Sequence, residues 1–164
     1  MQMNRVIPIL AILFLDIQFA KALELEDVED SLKNQGAEAT ISKLSWPYEN
    51  WFNFTKNIQS GEISWVQLAI ELRPATDGGG SMDIDHSLAE AYSMNPNAFP
   101  VDVSPSLVCN PNHMDLDTKP NALAYISRMK NIIPNTKSAK FRENCTQLID
   151  NYENIVSEWD GQLP

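Results

Sequence analysis

The chain has 164 residues and a formal net charge of −10, from 22 acidic against 12 basic side chains, with 43% hydrophobic residues. That length suits one domain with a buried core. That charge repels nucleic acid and anionic membrane surfaces, which leaves solubility in its own right or a basic protein partner.

The first 22 residues read as a secretory signal peptide. Arg5 supplies a positive start, residues 6–15 form an apolar run, and Ala20-Lys21-Ala22 is a small-x-small cleavage site. The apolar run is shorter than the roughly 20 residues of a spanning helix. Cleavage after Ala22 would leave residues 23–164 as a single helical domain, periplasmic or secreted, without a membrane anchor.

Helical spacing then runs through the chain. Leu25, Val28 and Leu32 recur at that spacing, and Gly36 stops the first helix. Residues 39–44 predict a short second helix. Pro47 opens a third, with Trp51, Phe54, Thr55 and Ile58 on one face and Ser60-Gly61 at its end. The fourth carries Ile63, Val66, Ala69 and Ile70, widened by Trp65, Leu68 and Leu72, and stops at Pro74. Residues 75–80 read as a flexible connection. Ser81 is the expected cap of a fifth helix, with Asp83 and Asp85 in its first turn. Ile84, Leu88, Ala91 and Tyr92 point inward along it, and Asn95-Pro96 ends it.

Residues 96–119 are proline-rich and read as irregular, with one helical turn at 97–99. Asp117 or Thr118 caps the next helix, which starts at Pro120, presents Leu123, Ile126, Met129 and Ile133, and breaks at Pro134-Asn135. A long last helix runs from Ala139 to about Trp159, with Phe141, Cys145, Leu148, Ile149, Tyr152 and Val156 inward. No strand pattern competes. The expected fold is all-α, a compact irregular bundle of six to eight short helices, in stacked pairs that are mostly antiparallel because the loops are short.

Two cysteines in an exported chain suggest one disulfide, Cys109–Cys145. The alternative for residues 108–117, VCNPNHMDLD, is a metal site using Cys109, His113, Asp115 and Asp117. The spacing C-x3-H-x-D-x-D fits no tetrahedral zinc framework, and a thiolate ligand would have to stay reduced after export. Asp83, His86 and Glu90 fall at i, i+3 and i+7, roughly one helix face, where they read either as a base or ligand set or as a solvated first turn. Residues 76–81, TDGGGS, lack the lysine of a phosphate-binding loop and follow a helix, not a strand. Neither histidine has a nucleophile in a recognised context. No pair of carboxylates stands out for glycoside hydrolysis. The sequons at Asn53 and Asn144 read as coincidental. No cofactor is implied.

Trp46, Tyr48, Trp51, Phe52, Phe54 and Trp65 make a dense aromatic cluster. Most of it belongs to the core of the third and fourth helices. Trp46, Tyr48, Trp51 and Phe52 are also the candidates for an exposed binding surface, because the adjacent pair Trp51–Phe52 cannot face one way.

The motif set also carries a resemblance. Trp65, Leu68 and Ala69 in W-x-x-L-A, then Thr76-Asp77-Gly78, then Asn95-Pro96, then Cys109 and Cys145 resemble small exported helical proteins of Gram-negative bacteria, over about residues 44–150. These motifs are structural and transfer no catalytic residues. A looser similarity in size, export and helical content extends to periplasmic immunity proteins of type VI secretion systems, which neutralise a toxin by binding it. What this implies is a non-enzymatic protein-binding module, an immunity or inhibitor protein in its sharpest form, with a partner that is another protein and basic. A cell-envelope hydrolase with unidentified carboxylates, or a structural protein, are the alternatives. A cleft lined by paired acids would favour the hydrolase, and a convex, patchy surface would favour binding.

Overall fold

The computed structural model describes residues 23–111, 114 and 116–159. Residues 1–22, which hold the expected signal peptide, lie outside them. So do Asn112, His113 and Asp115 of the VCNPNHMDLD stretch.

The described residues form eight α-helices and no strand, an all-α bundle. In order they are α1 (Leu25–Gln35), α2 (Ala37–Ser45), α3 (Tyr48–Gln59), α4 (Ile63–Leu72), α5 (Gly78–Met94), α6 (Pro105–Val108), α7 (Lys119–Ile132) and α8 (Ala139–Ser157). Single 3-10 turns follow α4, α5 and α7, at Arg73–Ala75, Pro96–Ala98 and Ile133–Asn135. Each contains a proline, which cannot continue an α-helix because it has no N–H to donate.

Helix ends follow their local chemistry. Gly36 at φ 84° closes α1, and its amide donates to the carbonyl of Leu32. Thr118 caps α7 by accepting from the Asn121 amide, with Pro120 in the first turn. Ser138 caps α8 by accepting from the Phe141 amide. At the other end of α8 the Lys119 ammonium donates to the carbonyls of Ser157 and Trp159, at 3.2 and 2.9 Å. A cation there satisfies carbonyls left without helical partners.

The core is one cluster running from Val28 on α1 to Val156 on α8. Helix α4 lies deep in it, with Trp65, Val66, Leu68, Ala69 and Leu72 buried and α1, α2, α3 and α5 around it. Helix α5 links the halves of the bundle, packing on α3 and α4 on one side and on α6 and α7 on the other. Helices α3 and α5 run in the same direction. Trp51 meets Asp83, Gln59 meets Ser87, and Asn95 reaches back to Gly61. Helices α7 and α8 run in opposite directions, with Lys119 near Trp159 and Lys130 near Asp150 and Glu153.

The disulfide joins Cys109, just after α6, to Cys145 on α8, with Cα atoms 5.5 Å apart and both residues fully buried. It clips the proline-rich segment to the last helix, as the sequence suggested.

Several local expectations need correction. Helix α5 begins at Gly78, so residues 78–80 are its first turn and not a linker, and Asp77 takes the cap position expected of Ser81. Asp83 and Asp85 therefore lie in the second turn. The proline-rich stretch contains the four-residue helix α6, opened by Pro105. On α7 the buried face is Ala122, Tyr125, Ile126 and Met129, while Leu123 is half exposed. Ile63 is likewise half exposed at the start of α4.

Candidate interaction surface

Residues 46–52 cross the turn between α2 and α3. The Trp46–Pro47 peptide is cis, and the Asn50 side-chain amide donates to the carbonyl of Lys43 at 3.4 Å, tying the start of α3 back to α2. Three of the four candidate aromatic residues stand in solvent there: Trp46 is 80% exposed, Tyr48 70% and Phe52 55%. Tyr48 and Phe52 are four residues apart on α3, so their rings share one helix face. Large apolar side chains this exposed and this close in sequence form a patch of the kind proteins use for association.

Trp51 does not belong to that patch. It is 93% buried, with a relative exposure of 7%. Its indole N–H donates to Asp83 Oδ2 at 2.8 Å, and its ring packs on Phe54 at 5.7 Å between centroids. Phe54 in turn meets Trp65 edge-on. The position explains the split. Trp51 is in register with Phe54 and Ile58, which face α5, whereas Phe52 is rotated about 100° away.

Asp83 and Glu90 of the Asp83, His86 and Glu90 set are directed to different partners. Asp83 is held by Trp51, and Glu90 accepts from both terminal nitrogens of Arg128 at 3.2 and 3.3 Å. Among the described residues no group of three or more His, Cys, Asp or Glu side chains could hold a metal ion. Cys109 is spent in the disulfide, so it offers no thiolate. Asp117 accepts from the Asn121 side chain at the start of α7, in keeping with a cap. The TDGGGS segment is closed on itself, Thr76 and Ser81 sharing a hydroxyl hydrogen bond at 2.9 Å.

Two polar features escaped sequence reasoning. Asp85 is 5% exposed on α5 and takes a bidentate pair from the Arg73 guanidinium, whose Nη2 lies 2.7 Å from Oδ2. The hydrogen bond to Asp85 is the main reason that the Arg73 pKa is raised. An arginine just before a helix-stopping proline was the only signal available. The second feature is Tyr125, 2% exposed, whose hydroxyl has no hydrogen-bond partner. Burial holds its phenol well above the ordinary range.

The described surface carries several grooves. One, between α1 and α4, has Glu29, Glu71 and Lys33 on its rim, and both carboxylates are exposed to water. A smaller cavity of about 180 Å³ lies between α1 and α2 and reaches Asn50 at the start of α3. No helix among the described residues is long and apolar enough to cross a membrane. Compared with protein families, curated proteins and solved structures, the chain matches none.

Proposed function

We propose that this chain is an exported, non-enzymatic module that binds another protein, and that its sharpest form is an immunity or inhibitor protein. The observation that carries the reading is the exposed set Trp46, Tyr48 and Phe52 on an acidic body. Aromatic side chains are enriched at the centres of interfaces and are costly to leave in water without a use. The net charge of −10 supports a basic partner, since complementary charge speeds encounter and excludes acidic competitors. The buried disulfide is compatible with an oxidising compartment.

The test is native mass spectrometry of the protein recovered, without reductant, from its host's periplasm. The expected species is residues 23–164, two hydrogens lighter than the reduced chain, with a stoichiometric second protein. The triple variant Trp46→Ala, Tyr48→Ala, Phe52→Ala should lose that partner and keep its melting temperature. A partner held as tightly by the variant would overturn the assignment of the surface. A bare monomer from a host shown to make both proteins would overturn the binding reading itself.

A further inference from the structure

The cavity between α1 and α2 has a construction that the exposed aromatic patch lacks. Its walls are apolar: Leu23, Val28 and Leu44. Its floor carries two hydroxyls on buried residues, Ser31 at 3% and Thr40 at 1% exposure. Thr40 Oγ1 donates to the Gly36 carbonyl at 2.9 Å and lies 3.2 Å from Ser31 Oγ, so these hydroxyls are satisfied within the floor. They add no unmet polar demand. The space therefore suits an aliphatic side chain entering from outside.

The rim sets the charge of what enters. Asp27 stands on the α1 side and Lys43 on the α2 side. On the same helix Glu26 and Asp30 are exposed and Glu24 is exposed at its N-cap, while Glu29 and Lys33 line the groove between α1 and α4. The other side of the mouth, Lys43 and Leu44 of α2 and Asn50 of α3, lies on the helices joined by the turn that carries Trp46. An incoming chain that touches the aromatic patch is thus within reach of an apolar socket with an acidic helix along one edge.

We infer that this cavity is the anchoring socket of the interaction surface, and that it takes an aliphatic side chain from a partner segment in which that residue is flanked by Lys or Arg. The inference rests on the protein-binding reading above and adds the chemistry of the contacting segment. The apolar side chain supplies affinity by leaving water, and the flanking cations fix the direction of approach.

The test is a nuclear magnetic resonance titration of the isotope-labelled protein with three short synthetic peptides: one of Lys and Leu, one of Glu and Leu, and one of Lys and Ser. The Lys–Leu peptide should shift the amides of Val28, Ser31, Thr40 and Leu44, and the other two should not. Asp27→Asn should weaken that binding and Lys43→Gln should strengthen it, each by about threefold, as removal of one partly screened charge implies. Both positions are at the surface, and the melting temperature of each variant is measured alongside as the control for its fold. Opposite signs from two neutralising changes separate charge recognition from a structural effect.

Shifts confined to the Trp46 indole and the Tyr48 and Phe52 amides would overturn the socket while leaving the aromatic binding surface intact. Equal binding of the Glu–Leu peptide, or of the Lys–Ser peptide, would overturn the assigned chemistry. Socket shifts that follow protein concentration, with dimer in sedimentation, would assign the cavity to a second copy of this chain and overturn the inference. Absence of socket shifts with all three peptides would also overturn it, whatever the mass spectra show of a natural partner.

Discussion

Tyr125 holds a buried hydroxyl that bonds to nothing, between Arg128 on its own helix and Glu90 and Tyr92 on α5. An unpaired hydroxyl taken out of water costs about 1–3 kcal/mol. Tyr125→Phe removes that cost and keeps the ring, so it should leave stability unchanged or raise it by about 1 kcal/mol in urea unfolding. A loss of similar size would mean that an ordered water satisfies the hydroxyl. Tyr125 also dictates an alkaline limit. Its folded pKa is raised above the ordinary 10.0, as are those of Tyr92 and Tyr152, in each case mainly by burial. The unfolded chain then releases these protons first. Their contribution is fully present below pH 10.0 and is lost as the pH rises beyond it. The phenolate absorbance of the buried Tyr92 and Tyr125 should therefore appear together with unfolding, and Tyr125→Phe should flatten the alkaline fall. At Asp85 the risk runs the other way. Arg73→Ala takes the guanidinium from a buried carboxylate and should cost about 2 kcal/mol, less than loss of a fully enclosed pair because the guanidinium is partly exposed.

Glycines show how the elements are joined. Gly61 sits at φ 73° between α3 and α4, and a Cβ there would lie 3.1 Å from the Ala91 carbonyl oxygen and from the Cβ atoms of Met94 and Asn95. Gly36, between α1 and α2, has φ 84° and nothing within 4 Å of such a Cβ. Both substitutions to alanine force an unfavourable backbone, costing about 1 kcal/mol. Gly61→Ala must in addition separate α4 from the end of α5, so its melting temperature should fall well below that of Gly36→Ala. Gly79 has neither a positive φ nor a close neighbour, and it lies in the first turn of α5. Gly79→Ala should stabilise the protein by about 0.5 kcal/mol, since alanine loses less backbone freedom in a helix.

For the molecule as a whole, the disulfide is the main long-range constraint outside packing. It closes a loop between positions 36 apart, and loop closure of that length limits the unfolded chain by about 4 kcal/mol. Chemical unfolding with and without reductant should differ by about that amount. Because both cysteines are fully buried, reductant should act only on molecules that have opened. Native protein kept below its transition should therefore retain the bond. The aromatic residues divide at this scale too. Trp51→Ala opens a core cavity and removes the bond to Asp83, at a cost of about 3–5 kcal/mol, while each of Trp46→Ala, Tyr48→Ala and Phe52→Ala should lie within about 0.5 kcal/mol of the parent.

Helix content, most helix boundaries and the cysteine pair were legible in the amino-acid order. Apolar spacing, proline and capping residues act within one or two turns, and the chain holds only two thiols. Local chemistry also showed that Trp51 and Phe52 must face different ways. It could not say which of them meets water, or that Asn50 of α3 reaches a cavity between α1 and α2. Those outcomes depend on which helices share a face. Asp85 illustrates the limit: beside a helix start it reads as a solvated acid, and only the approach of Arg73 makes it a buried one. Periodicity determines which side of a helix is apolar, while packing among distant segments decides which polar and aromatic groups that side encloses, because burial is a property of neighbours that the local sequence does not contain.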